Sequence, residues 1–333
     1  MSLYNYDDIF LVPRKVSKVK SRSEVDLSVD FLGHKLKCPI LASPMPDIGN
    51  PELCNEIAKQ GGLGFLHRFC STEDTVLNIA KTQYKNCGFA IECGEQGYTR
   101  FQIINVNTTK SLNKVFLIDV ANAANSNVKE LVNRIKKTYL EAKIVVGNVG
   151  SYECFSEVAS WGVDAIRVSI GSGSHCTTKI ETGVYCPSLF SLIECRRGAN
   201  EFWQFENNVC KTKTLIIADG GISKPADVCK ALIWADVVML GGQLAGCKES
   251  LSKTLRIDDK LFKIFRGAAS YSTQIYNKKE PKYIEGMESL VQYSGPLEKT
   301  ITRYCNGLRS CLSYFDSKNL NEYKHKVTWE SIH

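Results

Sequence analysis

The sequence has no apolar run as long as the roughly 18 residues that a membrane-spanning helix needs. Its first ten residues carry Asp7 and Asp8 and lack a long apolar core, so we expect no secretory signal peptide. No C-x-x-C pair and no H-E-x-x-H motif occurs, and the five histidines are scattered, which argues against a zinc site. With that N-terminus, the fourteen cysteines are interpreted as reduced thiols. These absences predict a cytoplasmic protein without membrane contact.

Composition places the chain among ordinary globular proteins. Its 333 residues are 44% apolar and 23% charged, enough for one large core or two modest domains. No low-complexity tract, linker or shift in composition marks a second domain, so we predict a single domain over 1–333. The formal net charge of +7 favours anionic ligands such as nucleotides. The basic residues are spread along the chain, with only short clusters such as 134–137, and we expect no nucleic-acid partner.

Short apolar runs rich in Val, Ile and Leu alternate with helical patterns along the chain. Continuous runs of this kind are typical of strands in a parallel sheet that is covered on both faces. The eight predicted strands are 39–43, 62–66, 87–91, 115–119, 143–147, 164–168, 214–218 and 236–240. The helices predicted between them include 50–60, a helix that opens at 71–74, 126–140 and 225–234.

Eight strand–helix units predict an α/β fold, a single (β/α)₈ TIM barrel. The sixth strand is followed by the longest connection, which contains a loop at 171–187. We predict a flap after the eighth strand, at about 266–294, because this stretch is polar and rich in Tyr and Lys. A C-terminal tail is predicted at 311–333. In such barrels the site lies at the carboxyl ends of the strands, and the 171–187 loop falls there.

The loop after the sixth strand carries the residues with the clearest chemistry. Residues 171–178 read Gly-Ser-Gly-Ser-His-Cys-Thr-Thr, and 182–184 read Thr-Gly-Val. Two glycines spaced two apart permit a tight turn that exposes amides or carbonyls to a ligand. Cys176 stands at the end of this turn, and a thiolate there is a good nucleophile. The alternative is that Cys176 is a small buried side chain and that the glycines only shape a surface loop.

This loop resembles the catalytic loop of the inosine-monophosphate dehydrogenase / guanosine-monophosphate reductase family. Further stretches match the same family in the same order along nearly the whole chain. They are 21–27, 119–122, 147–149, 219–221, 239–242, 285–286 and 307–310.

The resemblance implies a purine nucleoside monophosphate as substrate and a covalent mechanism. Cys176 would attack C2 of the purine, and hydride would then move between C2 and a nicotinamide. Thr178 would handle the group that leaves or attacks C2, and Glu285 would donate a proton there. Nucleotide phosphate, ribose and base are assigned by the resemblance to Ser174, Asp219, Gly220, Gly221, Gly241, Gly242, Ala268, Ala269 and Ser270.

The resemblance also implies a cofactor, a cation and an assembly. Asp119, Asn122 and Arg68 would face the nicotinamide cofactor. The backbone carbonyls of Gly171, Gly173 and Cys176 would form a monovalent-cation site for K⁺, as in dehydrogenase members. The resemblance also implies a homotetramer, as for other members of the family.

Two features favour the reductase branch, in which NADPH reduces guanosine monophosphate to inosine monophosphate with release of ammonia. The stretch 271–284 is short and contains no Arg, whereas the dehydrogenase needs an Arg-Tyr pair on a long flap to activate water. The second strand runs directly into 67–71, without the regulatory insert that many dehydrogenases carry. A reductase instead needs a proton donor near C2, which Glu285 with Thr178 would provide.

Several residues depart from the reductase pattern. Arg68 stands where reductases have Lys, Ala123 replaces a usual Gly, and Phe265 lacks the hydroxyl of the expected aromatic residue. Arg cannot readily lose its proton and is not equivalent to Lys. Two alternatives therefore remain. One is NAD-dependent oxidation of inosine monophosphate, and the other is a non-catalytic relative that binds purine nucleotides.

Overall fold

Eight parallel strands form a closed barrel in the computed structural model, which describes residues 3–82, 87–108, 114–205, 213–267, 270–271, 284 and 286–332. The described strands are β1 Ile9–Leu11, β2 Val29–Phe31, β3 His34–Leu36, β4 Ile40–Ala42, β5 Leu63–Leu66, β6 Cys87–Ile91, β7 Val115–Asp119, β8 Lys143–Val149, β9 Ala165–Val168, β10 Leu215–Asp219, β11 Val237–Leu240, β12 Thr254–Ile257, β13 Lys260–Arg266, β14 Glu288–Gln292 and β15 Trp329–Ser331. The described helices are α1 Pro51–Lys59, α2 Thr72–Lys81, α3 Gly94–Asn107, α4 Ser126–Thr138, α5 Tyr152–Ser160, α6 Thr178–Glu181, α7 Ser188–Phe205, α8 Pro225–Ala231, α9 Gly242–Ala245, α10 Leu297–Tyr314 and α11 Leu320–Lys326.

The barrel strands follow the order β10-β11-β4-β5-β6-β7-β8-β9, and neighbouring strands pair in parallel. All eight correspond to the strands predicted from the sequence, and the bounds of β6 and β7 agree at both ends. The predicted (β/α)₈ barrel is thus confirmed. No helix in the described part of the chain is both long enough and apolar enough to cross a membrane.

Helices α1 and α2 begin where capping side chains supply acceptors for the first free amides. Asn50 accepts the amide of Leu53 at 3.0 Å, and Pro51 occupies the first helical position of α1. The hydroxyl of Ser71 accepts the amide of Asp74 at 3.1 Å at the start of α2. These caps confirm the helix starts that the sequence predicts.

The barrel interior is filled by alternate residues of the strands, as the two-residue period of a strand requires. One apolar cluster inside the barrel includes Leu117 of β7, Val145 of β8, Ala165 of β9 and Ile217 of β10. Their immediate neighbours along each strand, such as Ile118 and Val146, pack outward against the helices.

The amino end of the barrel is closed by the antiparallel hairpin β2–β3. Phe31 and Leu36 of this hairpin are buried and join the interior cluster. The amide of Lys37 donates to the carbonyl of Gly61, just before β5 begins, so the hairpin lies at the ends where the strands start. This element was not predicted.

Residues after the eighth barrel strand form a second small sheet, β12-β13-β14, with antiparallel pairing. The stretch predicted as a flap, 266–294, therefore includes a strand, because β14 pairs along β13 from Phe262 to Arg266. Part of the predicted tail, 311–333, belongs to the last turn of α10. The rest forms α11 and β15, and β15 pairs with β1 near the start of the same chain.

Candidate active site

Cys176 lies in the loop that follows β9, as predicted. Its amide donates to the carbonyl of Gly173 at 3.0 Å, which closes a tight turn between them. The Sγ atom is 3.1 Å from Oγ1 of Thr178, the first residue of the short helix α6. The thiol is half-buried. The structure thus brings together the two residues to which the sequence assigns chemistry at the same atom of the substrate.

Residues near the start of the predicted flap, Gly267 and Ser270, and towards its end, 286–287, converge on this loop. Cys176 and Ser270 each form an isolated β-bridge with Gly286. The amide of Met287 donates to the carbonyl of His175 at 3.0 Å, and the amide of Gly267 donates to the carbonyl of Met287 at 2.9 Å. The backbone that carries the cysteine is therefore held by hydrogen bonds to residues within the predicted flap.

The predicted phosphate-binding residues lie together at the carboxyl ends of β9, β10 and β11. A Cβ atom built on Gly242 would be 3.3 Å from Oγ of Ser174, and one built on Gly220 would be 3.2 Å from the amide nitrogen of Gly173. Gly220 also has a φ of +85°, which residues with a side chain rarely adopt. Side chains here would fill the space between the loops, so the glycines keep backbone accessible to a ligand.

Asp219 ends β10 at the same rim. Within the described part of the chain, its Oδ2 atom accepts hydrogen bonds from Nδ2 of Asn148 at 2.9 Å and from Nε and a terminal nitrogen of Arg167 at 3.1 and 2.8 Å. All of these bonds go to one oxygen. The arrangement leaves Oδ1 to accept hydroxyl donors of a ligand.

The predicted cofactor residues Asp119 and Arg68 form an ion pair, with Nε of Arg68 3.1 Å from Oδ2 of Asp119. Oδ1 of Asp119 accepts from Arg167 at 2.6 Å. Burial alone would raise the pKa of Asp119, but the charges of Arg68 and Arg167 outweigh burial and the pKa is lowered. Asn122 follows in the same loop, is exposed, and accepts the amide of Ala124 at 3.1 Å.

Two functional candidates were not predicted from the sequence. Arg167 lies in a buried strand and is the basic residue shared by Asp119 and Asp219. His67 is half-buried at the end of β5, and its Nδ1 accepts the amide of Phe69 at 3.0 Å. The signal for Arg167 was present, because a charged residue in the apolar run 164–168 needs a buried partner.

The substituted Phe265 has a packing role. Its ring is buried and lies edge-on to His175, with 4.2 Å between ring centroids. The next residue, Arg266, pairs with the fully buried Asp47 through its Nε atom at 3.1 Å. Phe265 and Arg266 therefore anchor the second sheet to the cysteine loop and to the loop after β4.

Three predicted site residues, Ala268, Ala269 and Glu285, lie outside the described residues. Ser270 is described and buried, and its amide donates to Gly267 at 3.1 Å. The carbonyl of Gly173 already accepts the amide of Cys176, so one of its two lone pairs is used within the turn. The cation site on Gly171, Gly173 and Cys176 stays a prediction.

The fold and the site together define a (β/α)₈ barrel. Its mouth carries the cysteine loop (171–187), a glycine cluster (Gly220, Gly221, Gly241 and Gly242), and two aspartates, Asp119 and Asp219, that both pair with Arg167. Comparison with known proteins agrees. The sequence model described as "IMP dehydrogenase / GMP reductase domain" matches residues 3–333. A protein named GMP reductase from Acidovorax ebreus (strain TPSY) is 32% identical over 327 residues, which cover 97% of this chain and 94% of that protein.

Two further relatives carry the same name. The GMP reductase of Clostridium acetobutylicum is 32% identical over 324 residues, covering 96% of this chain and 93% of the relative. That of Staphylococcus saprophyticus is 31% identical over 327 residues, covering 97% and 94%. The chain belongs to the IMP dehydrogenase / GMP reductase family, and the resemblance read from its motifs is confirmed.

Proposed function

We propose that this protein is a GMP reductase that converts guanosine monophosphate to inosine monophosphate and ammonia with NADPH as reductant. The observation that carries the proposal is the approach of the Cys176 thiol to the Thr178 hydroxyl, at 3.1 Å, at the mouth of the barrel. Full-length similarity to proteins named GMP reductase supports the reductive direction. The short 271–284 stretch, which lacks Arg, supports it as well.

In the proposed reaction, the thiolate of Cys176 forms a bond to C2 of the purine. The exocyclic amine accepts a proton and leaves as ammonia, and an Sγ–C2 adduct remains. When bound, NADPH would supply a hydride to C2. The Sγ–C2 bond would then break, and Cys176 would return as the thiolate. We assign proton exchange with the departing amine to Thr178; its contact with Sγ, the atom that would bond C2, supports this assignment.

Proton donation to the amine is assigned to Glu285 together with Thr178. Glu285 directly precedes Gly286 in the sequence, and Gly286 bridges to Cys176. This pairing would deliver a proton to the leaving group without a base that activates water. The absence of Arg from 271–284 agrees with that assignment.

The nucleotide would be held by the rim of the barrel. We assign the phosphate to Ser174 and to the amides of Gly220, Gly221, Gly241 and Gly242, which suits backbone donors at strand ends. Asp219 would accept the ribose hydroxyls through Oδ1, since Oδ2 is engaged by Arg167 and Asn148. The base would contact Ser270 with Ala268 and Ala269.

The cofactor would bind beside the nucleotide, near Asp119, Asn122 and Arg68. The paired carboxylate of Asp119 is fixed by two arginines, so it presents a rigid acceptor to the cofactor ribose. We propose NADPH over NADH, K⁺ bound by the carbonyls of Gly171, Gly173 and Cys176, and a homotetramer. Comparison of the two cofactors, replacement of K⁺ by Li⁺, and light scattering after size-exclusion chromatography test these three points.

An assay with purified protein tests the reaction. Guanosine monophosphate with NADPH should lower the absorbance of the reduced nicotinamide and release one ammonia per hydride. Formation of reduced nicotinamide from inosine monophosphate and NAD would instead identify a dehydrogenase. Binding of either nucleotide without turnover would favour the non-catalytic alternative and overturn the proposal.

A further inference from the structure

We propose that Arg167 is a positioning residue that serves both ligands at once, because it orients Asp219 on the nucleotide side and Asp119 on the cofactor side. The inference rests on the proposed function for the identity of the two ligands. It adds a residue to which the motifs assign no role. It also predicts that a substitution in the binding site of one ligand weakens binding of the other ligand.

The contacts of Arg167 divide its guanidinium between two carboxylates. One terminal nitrogen is 2.6 Å from Oδ1 of Asp119. The other terminal nitrogen and Nε are 2.8 and 3.1 Å from Oδ2 of Asp219. A planar guanidinium with fixed donors holds both carboxylates in one geometry, which a single ammonium cannot reproduce. Arg167 is only 7% exposed, so water does not compete for these bonds.

Four adjacent barrel strands bring these residues together at the carboxyl end of the barrel interior. Asp119 of β7 pairs in register with Gly147 of β8, and Gly147 pairs with Arg167 of β9. Asp219 ends the next strand, β10, where Ile217 pairs with Arg167. Asp119, Arg167 and Asp219 each lie two positions beyond a residue of the interior apolar cluster on the same strand. The charges therefore lie where the interior reaches the mouth.

The chain leaves room for Arg167 between the two carboxylates. A Cβ atom on Gly147 would be 2.3 Å from Cβ of Arg167, closer than real contacts allow. A side chain at 147 would therefore displace the arginine from its path. Gly147, which has no side chain, leaves space for Arg167. Its neighbour Asn148 donates to the same Oδ2 atom of Asp219 that Arg167 contacts.

Charge balance links the two sides further. Arg68, Asp119, Arg167 and Asp219 alternate in sign along one chain of contacts, so the four charges sum to zero. Charges buried in this way are stable only while every member keeps its partner. A substitution at Asp219 removes the acceptor for Nε and one terminal nitrogen of Arg167. The guanidinium can then rotate and move Asp119. The coupling passes through one rigid group and needs no movement of the barrel.

The first experiment measures the Michaelis constants of Arg167→Lys for guanosine monophosphate and for NADPH. Lysine keeps a buried positive charge but lacks the several fixed donors of the guanidinium group. We therefore expect both Michaelis constants to rise by about tenfold, with kcat changed much less. A rise in only one constant, or in neither, would overturn the proposal. A lower melting temperature with unchanged Michaelis constants would assign Arg167 a structural role alone and would also overturn it.

The second experiment tests whether a substitution on the nucleotide side changes the Michaelis constant for NADPH. Asp219→Asn should raise the Michaelis constant for NADPH at saturating guanosine monophosphate, although Asp219 is assigned to the other ligand. In an Arg167→Lys background the same substitution should have little further effect on NADPH, since the link is already broken. Equal effects of Asp219→Asn in both backgrounds would contradict the link through Arg167.

Arg196→Lys provides the matched control. Arg196 also pairs with a mostly buried carboxylate, Asp236, at 2.8 Å, but near the amino end of β11. We expect a loss of stability with both Michaelis constants unchanged. If the wild-type protein uses inosine monophosphate and NAD, the proposed function fails, and the paired rise is then expected for those two ligands. The two failures are therefore distinguishable.

Discussion

The two ends of the barrel interior are made by the same eight strands and have opposite chemistry. At the amino end, Phe31 and Leu36 of the β2–β3 hairpin close the barrel. They belong to one buried cluster with Val115 and Leu63, and all four are nearly inaccessible to solvent. All four side chains are apolar, so none of them can form an ion pair. This end is held by burial of apolar surface and by close packing.

At the carboxyl end, the corresponding interior positions are charged. Asp119, Arg167 and Asp219 lie on their strands beyond the apolar cluster, nearer the mouth, and each depends on its partners for charge compensation. Buried ion pairs of this kind contribute little net stability compared with apolar residues of similar volume. The difference indicates that one end of the barrel stabilises the fold, while the other end gives up stability for the ability to bind polar ligands.

The largest effect that separates the two ends is expected from Cys176→Ala. Loss of the proposed nucleophile should lower kcat by about a thousandfold or more, while nucleotide affinity and the free energy of unfolding stay nearly unchanged. Steady-state kinetics, calorimetric titration with guanosine monophosphate and chemical denaturation measure the three quantities. Residual activity close to the wild-type level would rule out the covalent mechanism.

The opposite pattern is expected from Phe31→Ala at the amino end. Truncation of a fully buried aromatic side chain should reduce the free energy of unfolding by about 3–5 kcal/mol. Activity per folded molecule should not change, because the hairpin lies at the far end of the barrel. Phe10→Ala is the control, since Phe10 is 61% exposed and its loss should cost within about 0.5 kcal/mol. A drop in kcat for Phe31→Ala would break the division between the ends.

A pH effect is expected from His67 at the polar end. Burial, followed by repulsion from Arg100, lowers the pKa of His67 to about 4 from its ordinary value of 6.5. The folded state therefore favours the neutral ring, and its contribution to stability is complete above pH 6.5 and is lost as the pH falls towards 4. The loss can reach about 3 kcal/mol.

His67→Asn tests this prediction, because the amide oxygen can replace Nδ1 as the acceptor for the Phe69 amide and does not titrate. Denaturant titrations at pH 7 and pH 5 should show a larger loss of stability in the wild type than in the variant. Parallel pH dependence in the two proteins would mean that His67 is not the group responsible.

The smallest effect is expected from Ser174→Ala at the glycine cluster. Loss of one hydroxyl donor to the phosphate should raise the Michaelis constant for guanosine monophosphate by about tenfold and leave kcat nearly unchanged. Ser172→Ala is a matched control on the same loop, because the Ser172 hydroxyl donates to the carbonyl of Cys186 at 3.1 Å. Equal effects of the two substitutions would remove Ser174 from the phosphate site.

Local patterns predicted the barrel well. Strands β6 and β7 were predicted with their observed bounds, and α4 was identified by the spacing of Val128, Leu131 and Ile135, which are buried. These elements are continuous apolar runs or amphipathic repeats, so short-range sequence carries enough information to define them. The cysteine loop was recognised for the same reason, since its glycines and its thiol are neighbours in the chain.

Elements that depend on distant partners were not predicted. The sheet β12-β13-β14 pairs a strand inside the predicted flap, β14, with β13, which leads into it, and β15 pairs with β1 across almost the whole chain. Their pairing is set by contacts between residues far apart in sequence, and a pattern within either segment contains no record of its partner. Three-residue strands such as β1 and β15 also give too few positions for a period to be seen.

The sequence by itself determined the order of the eight barrel strands, the end of the barrel at which the site lies, and the residues of the cysteine loop. Each of these features depends on residues that are contiguous in the chain. Only the tertiary structure decided that Asp119, Arg167 and Asp219 form one chain of charges. They come from three strands whose neighbours are fixed by barrel closure. Closure is a property of the whole sheet, and it brings together residues that are separated by about fifty positions in the chain.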